Sequence, residues 1–283
     1  MIRALSVVGH GTNILPHFLN HYTQYVDEIQ LVVYESDIHK NLYEDVSKIV
    51  SNFPKAKIVK KIYDRIFDWE KVTALYNFAK SEYPYDWWVI SDVDEFHLYP
   101  DDDLNKLISE CNENGWDLVR GGFIDRIGPD GEFSELTEDE SIFKQYPNAG
   151  FFRYPLSNAC PNKICVTKGY VEITSGQHYA KINGQTTWRW QGWNHPLIHP
   201  KSFVQVHHFK WDKTSINRIR AVANNNQDYS YSSEYKKMYK ELSKVRFKID
   251  LNNPEFMFES SDGQPEFKRY RQWNKLIKKI ISI

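Results

Sequence analysis

The clearest chemical potential in the chain lies at Asp92-Val93-Asp94-Glu95, which follows the apolar run Trp87-Trp88-Val89-Ile90. A buried strand ending this way presents Asp92 and Asp94, two residues apart, on one side of the chain. Hard oxygen ligands at that spacing can hold Mg2+ or Mn2+, and such an ion can grip a diphosphate. The alternative is a plain acidic turn at a strand end.

The elements that must position these carboxylates are legible from hydrophobic period. Ala4–Gly9 reads as a short strand, followed by Leu15, Phe18, Leu19, Tyr22 and Val26 at helical spacing. Ile29–Tyr34 is β-branched, Leu42, Val46, Ile49, Val50 and Phe53 form a second stripe, and Ala56–Tyr63 is a third strand. Val72, Leu75, Tyr76 and Ala79 mark a third helix before the strand Trp87–Ser91. Repeated βα units of this length imply a mostly parallel central sheet flanked by helices. Ligands of such sheets bind beyond the carboxyl ends of the strands. Those ends read Gly9-His10-Gly11, Glu35-Ser36-Asp37, Tyr63-Asp64-Arg65 and Asp92-Val93-Asp94-Glu95. The first is no dinucleotide fingerprint, since Ile14 stands at the third glycine position. The carboxylates of the other three suit a nucleotide and a metal.

Beyond residue 100 the pattern is less regular, with a turn at Pro100 to Asp103, a short helix over Leu104–Cys111 and strands over Trp116–Phe123 and Ser202–Phe209. From Thr214 the chain is helical and basic, interrupted at Asn224–Gln227. Net charge is −1 over 283 residues, which argues against a protein built to coat nucleic acid. The near-neutrality is a cancellation. Residues 91–142 hold sixteen Asp and Glu against three Lys and Arg, a net of −13, and residues 201–283 carry a net of +8. Aromatic residues make up 15 % of the chain, including nine Trp. Trp188, Trp190 and Trp193 alternate with polar residues, offering flat apolar faces to a sugar or packing into a core.

Cys111, Cys160 and Cys165 follow no metal-ligand spacing, so a disulfide framework is not expected and a reducing, cytoplasmic setting is. Cys160 and Cys165 either pair or remain thiols. Gly9-His10-Gly11 interrupts the first apolar run too early for a signal peptide, and no stretch reaches the roughly 20 apolar residues of a membrane span. Trp273, Leu276, Ile277 and Ile280 recur at helical spacing among Lys275, Lys278 and Lys279. Such a basic C-terminal helix either lies peripherally on an anionic membrane or packs on its own domain.

The run into Asp92-Val93-Asp94-Glu95-Phe96 resembles the D-x-D-E-F signature of GT-A-fold glycosyltransferases, particularly the family-2-like and family-92-like groups. The likeness extends over roughly residues 1–220. It includes Ile14–Tyr22 and Val26–Tyr34, then Arg120-Gly121-Gly122-Phe123-Ile124-Asp125-Arg126 with Gly131. Pro161–Ile164, Ser175–His178 and Val206-His207-His208-Phe209-Lys210-Trp211 resemble later blocks in similar order. Where the family often has Lys-Asn-Glu at the end of the first strand, this chain has Gly9-His10-Gly11.

The resemblance implies a GT-A-like, Rossmann-like domain over 1–212, with a nucleotide-sugar half at 1–99 and an acceptor half at 100–212, followed by a helical basic extension over 213–283. It implies transfer of a sugar from a nucleotide-sugar donor to a hydroxyl of a glycan or glycoconjugate. Mn2+ or Mg2+ on Asp94, aided by Asp92, would neutralise the leaving diphosphate. Asp37 would lie near the nucleoside, with Asp64 and Lys71 along the same rim. His208 is either a third metal ligand or a structural histidine, and Lys210 a phosphate cation. Strand alternation allows only one of His207 and His208 to face the site.

An inverting reaction needs a carboxylate base, worth about 10²–10⁴-fold. Asp125 is the first candidate, against a turn or salt-bridge role beside Arg126, and Glu95 the second, against a structural role. His178 would touch donor or acceptor. Nucleotidyl transfer on a related fold and a non-catalytic carbohydrate-binding protein are the rival readings. A haloacid-dehalogenase-type phosphatase fits less well, since Glu95 and Phe96 follow the acid pair.

Overall fold

The alternating periods of the first hundred residues are realised as β1 (Ile2–Val8), α1 (Leu15–Thr23), β2 (Glu28–Glu35), α2 (Leu42–Val50), β3 (Ala56–Tyr63), α3 (Trp69–Ser81) and β4 (Trp87–Ile90). Next come β5 (Glu95–Leu98), α4 (Leu104–Asn114), β6 (Leu118–Ile127), α5 (Ile142–Gln145), β7 (Asn148–Gly150), α6 (Arg153–Ser157) and β8 (Asn162–Lys168). The short strands β9 (Glu172–Ile173), β10 (Ala180–Ile182) and β11 (Gln185–Thr186) precede β12 (Val204–His208), α7 (Lys213–Asn224), α8 (Ser232–Lys244) and α9 (Trp273–Ser282). This computed structural model describes residues 1–37, 39–182, 185–186, 203–224, 231–261 and 268–283. Two compact units interleave along the chain: Met1–Gly122 with Asn162–Val206, and Phe123–Pro161 with His207–Ile283. Residues 213–283, expected as an extension, thus share a unit with Phe123–Pro161.

In the first unit the sheet runs β3-β2-β1-β4-β8-β6-β12-β5. β2 pairs parallel with both β3 and β1, and β1 pairs parallel with β4. Each of these pairs needs a crossover long enough to hold a helix, which α1, α2 and α3 supply. At β4 the pairing changes, because β8 returns antiparallel to both β4 and β6. The sheet is therefore mixed where the sequence implies a mostly parallel one, and the architecture is a Rossmann-like α/β fold of the GT-A type. Strand order reverses beside β1, which has β2 on one side and β4 on the other.

The helices owe their seating to their apolar stripes. α1 buries Leu15, Phe18, Leu19 and Tyr22, and α3 buries Val72, Tyr76 and Ala79. The α3 start is set by Asp68, whose carboxylate accepts from the Glu70 and Lys71 amides at 2.8 and 3.3 Å. β4 is buried along its whole length, as its aromatic and β-branched composition requires. All three cysteines are free thiols.

The second unit is held by a cluster of Ile127, Phe133, Phe152, Trp211, Ile219, Met238, Leu242, Ile249 and Phe256. No helix among the described residues is long and apolar enough to cross a membrane. In α9, Leu276, Ile277 and Ile280 are buried while Lys275 and Lys278 are exposed. The apolar stripe of this helix is thus used for packing within the protein.

Gly131 joins the turn after β6 to the segment after α8. It sits at φ +75°, donates to Gly128 O at 3.3 Å, and accepts from Ile249 N at 2.8 Å. A Cβ there would meet Ile249 O at 2.0 Å. Gly131→Ala therefore combines left-handed strain with a backbone collision, and should destabilise the protein by about 2 kcal/mol or more in urea unfolding. A loss below about 0.5 kcal/mol would contradict this reading.

Candidate functional site

The strand that leads to the acid pair ends at Ile90, and Asp92–Glu95 is a tight turn closed by Glu95 N donating to Asp92 O at 3.0 Å. Strand alternation therefore does not place Asp92 and Asp94. The turn does. The Glu95 carboxylate folds back to accept from Asp92 N at 3.2 Å. Ser91 and Tyr22 lock the base of the turn: the Tyr22 hydroxyl lies 2.9 Å from Ser91 Oγ and 3.0 Å from Glu95 O, and accepts from His97 N at 3.1 Å.

A buried lysine is the counter-ion. In the antiparallel β4–β8 pairing Trp87 faces Lys168, Trp88 Thr167 and Val89 Val166. Continuing that register past the strand end brings Lys163 opposite Asp92. The Lys163 Nζ lies 3.1 Å from Asp92 Oδ2 and 2.7 Å from Glu95 Oε1, and also donates to Gln177 Oε1. Lys163 is 1 % exposed and Glu95 2 %. Burial alone would push the Lys163 ammonium down, and Asp92 and then Glu95 more than offset it, holding its pKa above the ordinary lysine value. The second oxygen, Asp92 Oδ1, accepts at 2.9 Å from the Tyr76 hydroxyl, which itself accepts from Val7 N at 3.1 Å. Burial, then Asp92, pushes this phenol well above its usual range, so it remains a donor.

The site therefore contains three residues that sequence reasoning did not single out as site residues: Lys163, Gln177 and Tyr76. The first two lie in the blocks Pro161–Ile164 and Ser175–His178, which carry part of the sequence resemblance. Gln177 adopts φ +53° to turn inward. Beside it, the half-buried His178 sets its Nδ1 2.7 Å from Asn162 O. Gly176 permits this, because a Cβ there would meet the His178 ring at 2.7 Å.

Along the rim of the parallel strands, Asp37 Oδ1 accepts from the Tyr63 hydroxyl at 2.6 Å. Asp64 and Lys71 form an ion pair with each other, which lowers the carboxyl pKa and raises the amine pKa. Trp188, Trp190 and Trp193 lie outside the described residues. Among the described residues no three His, Cys, Asp or Glu are gathered to hold a metal ion.

In the second unit, Asp125 is 1 % exposed and fully engaged. Its Oδ2 accepts from the Phe152 and Arg153 amides at 3.1 and 2.8 Å, opening α6. Its Oδ1 accepts from Trp211 Nε1 at 3.0 Å and faces His208 Nδ1 at 3.4 Å. In this arrangement Asp125 ties β6, α6 and the end of β12 together. The expected alternation of the two histidines holds: His208 lies against Phe123, and His207 Nδ1 accepts from Arg126 Nε at 2.9 Å among Phe143 and its neighbours. Arg126 is wholly buried, which lowers its guanidinium pKa to about 9, and it does not pair with Asp125. Lys210 lies with its Nζ 4.6 Å from the Tyr235 ring centroid.

No family model and no curated protein matches the chain. Several solved structures are similar to it at low identity. A 4-diphosphocytidyl-2C-methyl-D-erythritol synthase is 14 % identical at a TM-score of 0.33, covering 60 % of this chain and 75 % of that one. The mannosyltransferase PcManGT from Pyrobaculum calidifontis, in complex with GDP-Man and Mn2+, is 14 % identical at a TM-score of 0.29. That match covers 44 % of this chain and spans only 35 % of the mannosyltransferase. A Bacillus anthracis protein described as a glucose-1-phosphate thymidylyltransferase, in complex with sucrose, is 8 % identical at a TM-score of 0.29 and covers 97 % of this chain and 99 % of that one.

Tyr76→Phe tests the turn from its helical side. The substitution removes the donor to Asp92 and leaves the buried Val7 amide without its acceptor. It should cost about 1–3 kcal/mol in urea unfolding. An unchanged midpoint would show that the phenol does not support the turn.

Proposed function

We propose that the protein is a metal-dependent glycosyltransferase that uses a nucleoside-diphosphate sugar. The observation that carries this reading is the place of the Asp92–Glu95 turn. It follows β4, at the point where strand order reverses beside β1, and ligands of open α/β sheets bind in the crevice at such a switch point, beyond the carboxyl ends of the strands. Asp37 and Asp64 end β2 and β3 on the same rim, where a nucleoside would extend.

The donor set suits a hard divalent cation. Asp92 and Asp94 offer carboxylate oxygens only, and ions such as Mg2+ and Mn2+ in nucleotide enzymes are held by one or two carboxylates plus the substrate's phosphates. Bound there, the ion would neutralise charge on the departing diphosphate. The protein's own part is to fix the turn. Lys163 cancels the charge of Glu95 and part of that of Asp92, Tyr76 orients Asp92, and Asp94 takes the principal ligand role that the sequence resemblance implies. Glu95, buried and holding its own turn, serves to position the site.

The test is product analysis of the full chain with Mn2+ and a panel of nucleoside-diphosphate sugars and glycan acceptors. Release of nucleoside diphosphate with a glycosylated acceptor supports the reading. Formation of pyrophosphate from a sugar phosphate and a nucleoside triphosphate would replace it with nucleotidyl transfer, and glycan binding without turnover would replace it with a binding protein. Asp94→Asn should lower kcat/KM by about a hundredfold or more, as the loss of several kcal/mol of charge stabilisation implies. Asp125→Asn should lower the urea-unfolding midpoint, since the buried carboxylate accepts from two amides and an indole, and an unchanged midpoint would contradict that role.

A further inference from the structure

Two tyrosines stand at the end of the first unit's sheet opposite the acidic turn. Tyr85, in the loop between α3 and β4, is 80 % exposed, and Tyr170, in the turn between β8 and β9, is 51 % exposed. Their rings meet edge to face, with centroids 6.3 Å apart and planes inclined at 63°. The chain from Trp87 to Asp92 puts roughly 15 Å between this pair and the acidic turn, so one monosaccharide cannot reach both.

The backbone that carries the pair is fixed. Gly169 N donates to Asp86 O at 3.1 Å and Tyr170 N to Pro84 O at 3.0 Å, which joins the loop and the turn. Gly169 makes this approach possible, because a Cβ there would meet Tyr83 O at 2.4 Å and Lys80 O at 2.5 Å. Lys80, buried on α3, donates its Nζ to Gly169 O at 3.1 Å and to Val171 O. Burying an ammonium is costly, and this one secures a turn that presents a ring to water. Single exposed aromatics are ordinary, but a pair of rings held together on a rigid support is a preorganised surface.

Hydrogen-bonding groups border the rings. The Tyr170 phenol is hydrogen-bonded to Asp117. Lys168 Nζ donates to Tyr85 O at 3.2 Å and lies 4.4 Å from the Trp87 ring centroid. Asn112, which is exposed, accepts from Trp87 Nε1 at 3.2 Å through its side-chain oxygen. The extent of the surface favours a small ligand. With Tyr83, 41 % exposed, the three tyrosines offer roughly 250–400 Å2. Each partner in a stable protein interface contributes about 800 Å2.

We propose that Tyr85 and Tyr170 form a glycan-binding platform at the start of β4, separate from the acidic turn. A pyranose has C–H groups on its faces and hydroxyls around its edge. One such unit of a longer chain stacks on the rings, while Lys168, Asp117 and Asn112 bond its hydroxyls. The inference rests on the glycosyltransferase reading only for the choice of a glycan as ligand, and needs neither metal nor sugar transfer.

Calorimetric titration of the full chain in EDTA tests it, with cellohexaose, maltohexaose and chitohexaose as probes. The wild type should bind at least one of them saturably. Tyr85→Ala should weaken that probe at least about tenfold, as loss of a stacked ring implies, with the urea-unfolding midpoint unchanged because the side chain is exposed. Tyr85→Phe, which keeps the ring, should retain most of the affinity. Asp94→Asn should bind as the wild type does, so failure of the glycosyltransfer reading would leave this result standing. Tyr170→Ala should also weaken binding, and if it lowers the midpoint the two Tyr85 variants decide the matter. Absence of saturable binding, or binding that Tyr85→Ala leaves intact, would overturn the platform. A dimer in sedimentation equilibrium that Tyr85→Ala dissociates would overturn it too, and assign the surface to a second copy of the chain.

Discussion

A single buried ammonium holds the acidic turn in place. Two carboxylates within four residues of a strand end repel each other, and Glu95 is withdrawn from water. Lys163 makes that arrangement tolerable by standing between Asp92 and Glu95 at hydrogen-bonding distance. Such a pair need add little net stability over an apolar replacement, but removing one partner alone leaves a buried charge uncompensated. The turn's geometry, and with it the direction in which Asp94 is presented, therefore depends on a residue from β8, seventy positions further along the chain.

The second unit solves the inverse problem. There a buried carboxylate, Asp125, is surrounded by donors: two backbone amides at the start of α6, an indole and an imidazole. The hydrogen bonds that satisfy it also join β6, α6 and the chain after β12. Buried polar groups must be partnered, and in both units the partnering comes from segments distant in sequence. These networks specify which segments meet, while the aromatic residues fill the space around them: Trp211 both packs against Phe152 at 4.7 Å between ring centroids and donates to Asp125.

Much of the parallel half was legible in the sequence, because strand runs and helical stripes have different periods and β1 to β4 keep them cleanly separated. β8 escaped, since Asn162-Lys163-Ile164-Cys165 has two polar residues at its start and follows a proline, so its period is obscured. Lys163 escaped for the same reason. Its role exists only through the β4–β8 register, which no local pattern encodes. The carboxylates at the turn are legible by type and spacing, but strand alternation does not orient them, because the chain turns after Ile90. The resemblance implies a base at Asp125, whereas its contacts with the start of α6 and with Trp211 join elements distant in sequence. The aromatic surplus divides similarly: Trp88 and Trp211 are core residues, and α9 turns its apolar stripe inward because it has a core to cover.

The most direct test of this account is a double-mutant cycle in urea unfolding at neutral pH on Lys163→Met, Glu95→Gln and the double variant. If Lys163 is the counter-ion that makes the turn possible, Lys163→Met alone costs about 3–5 kcal/mol. Adding Glu95→Gln then recovers part of that loss, because it removes the stranded charge. Costs that simply add, within about 0.5 kcal/mol, would contradict the account and leave the turn independent of its lysine.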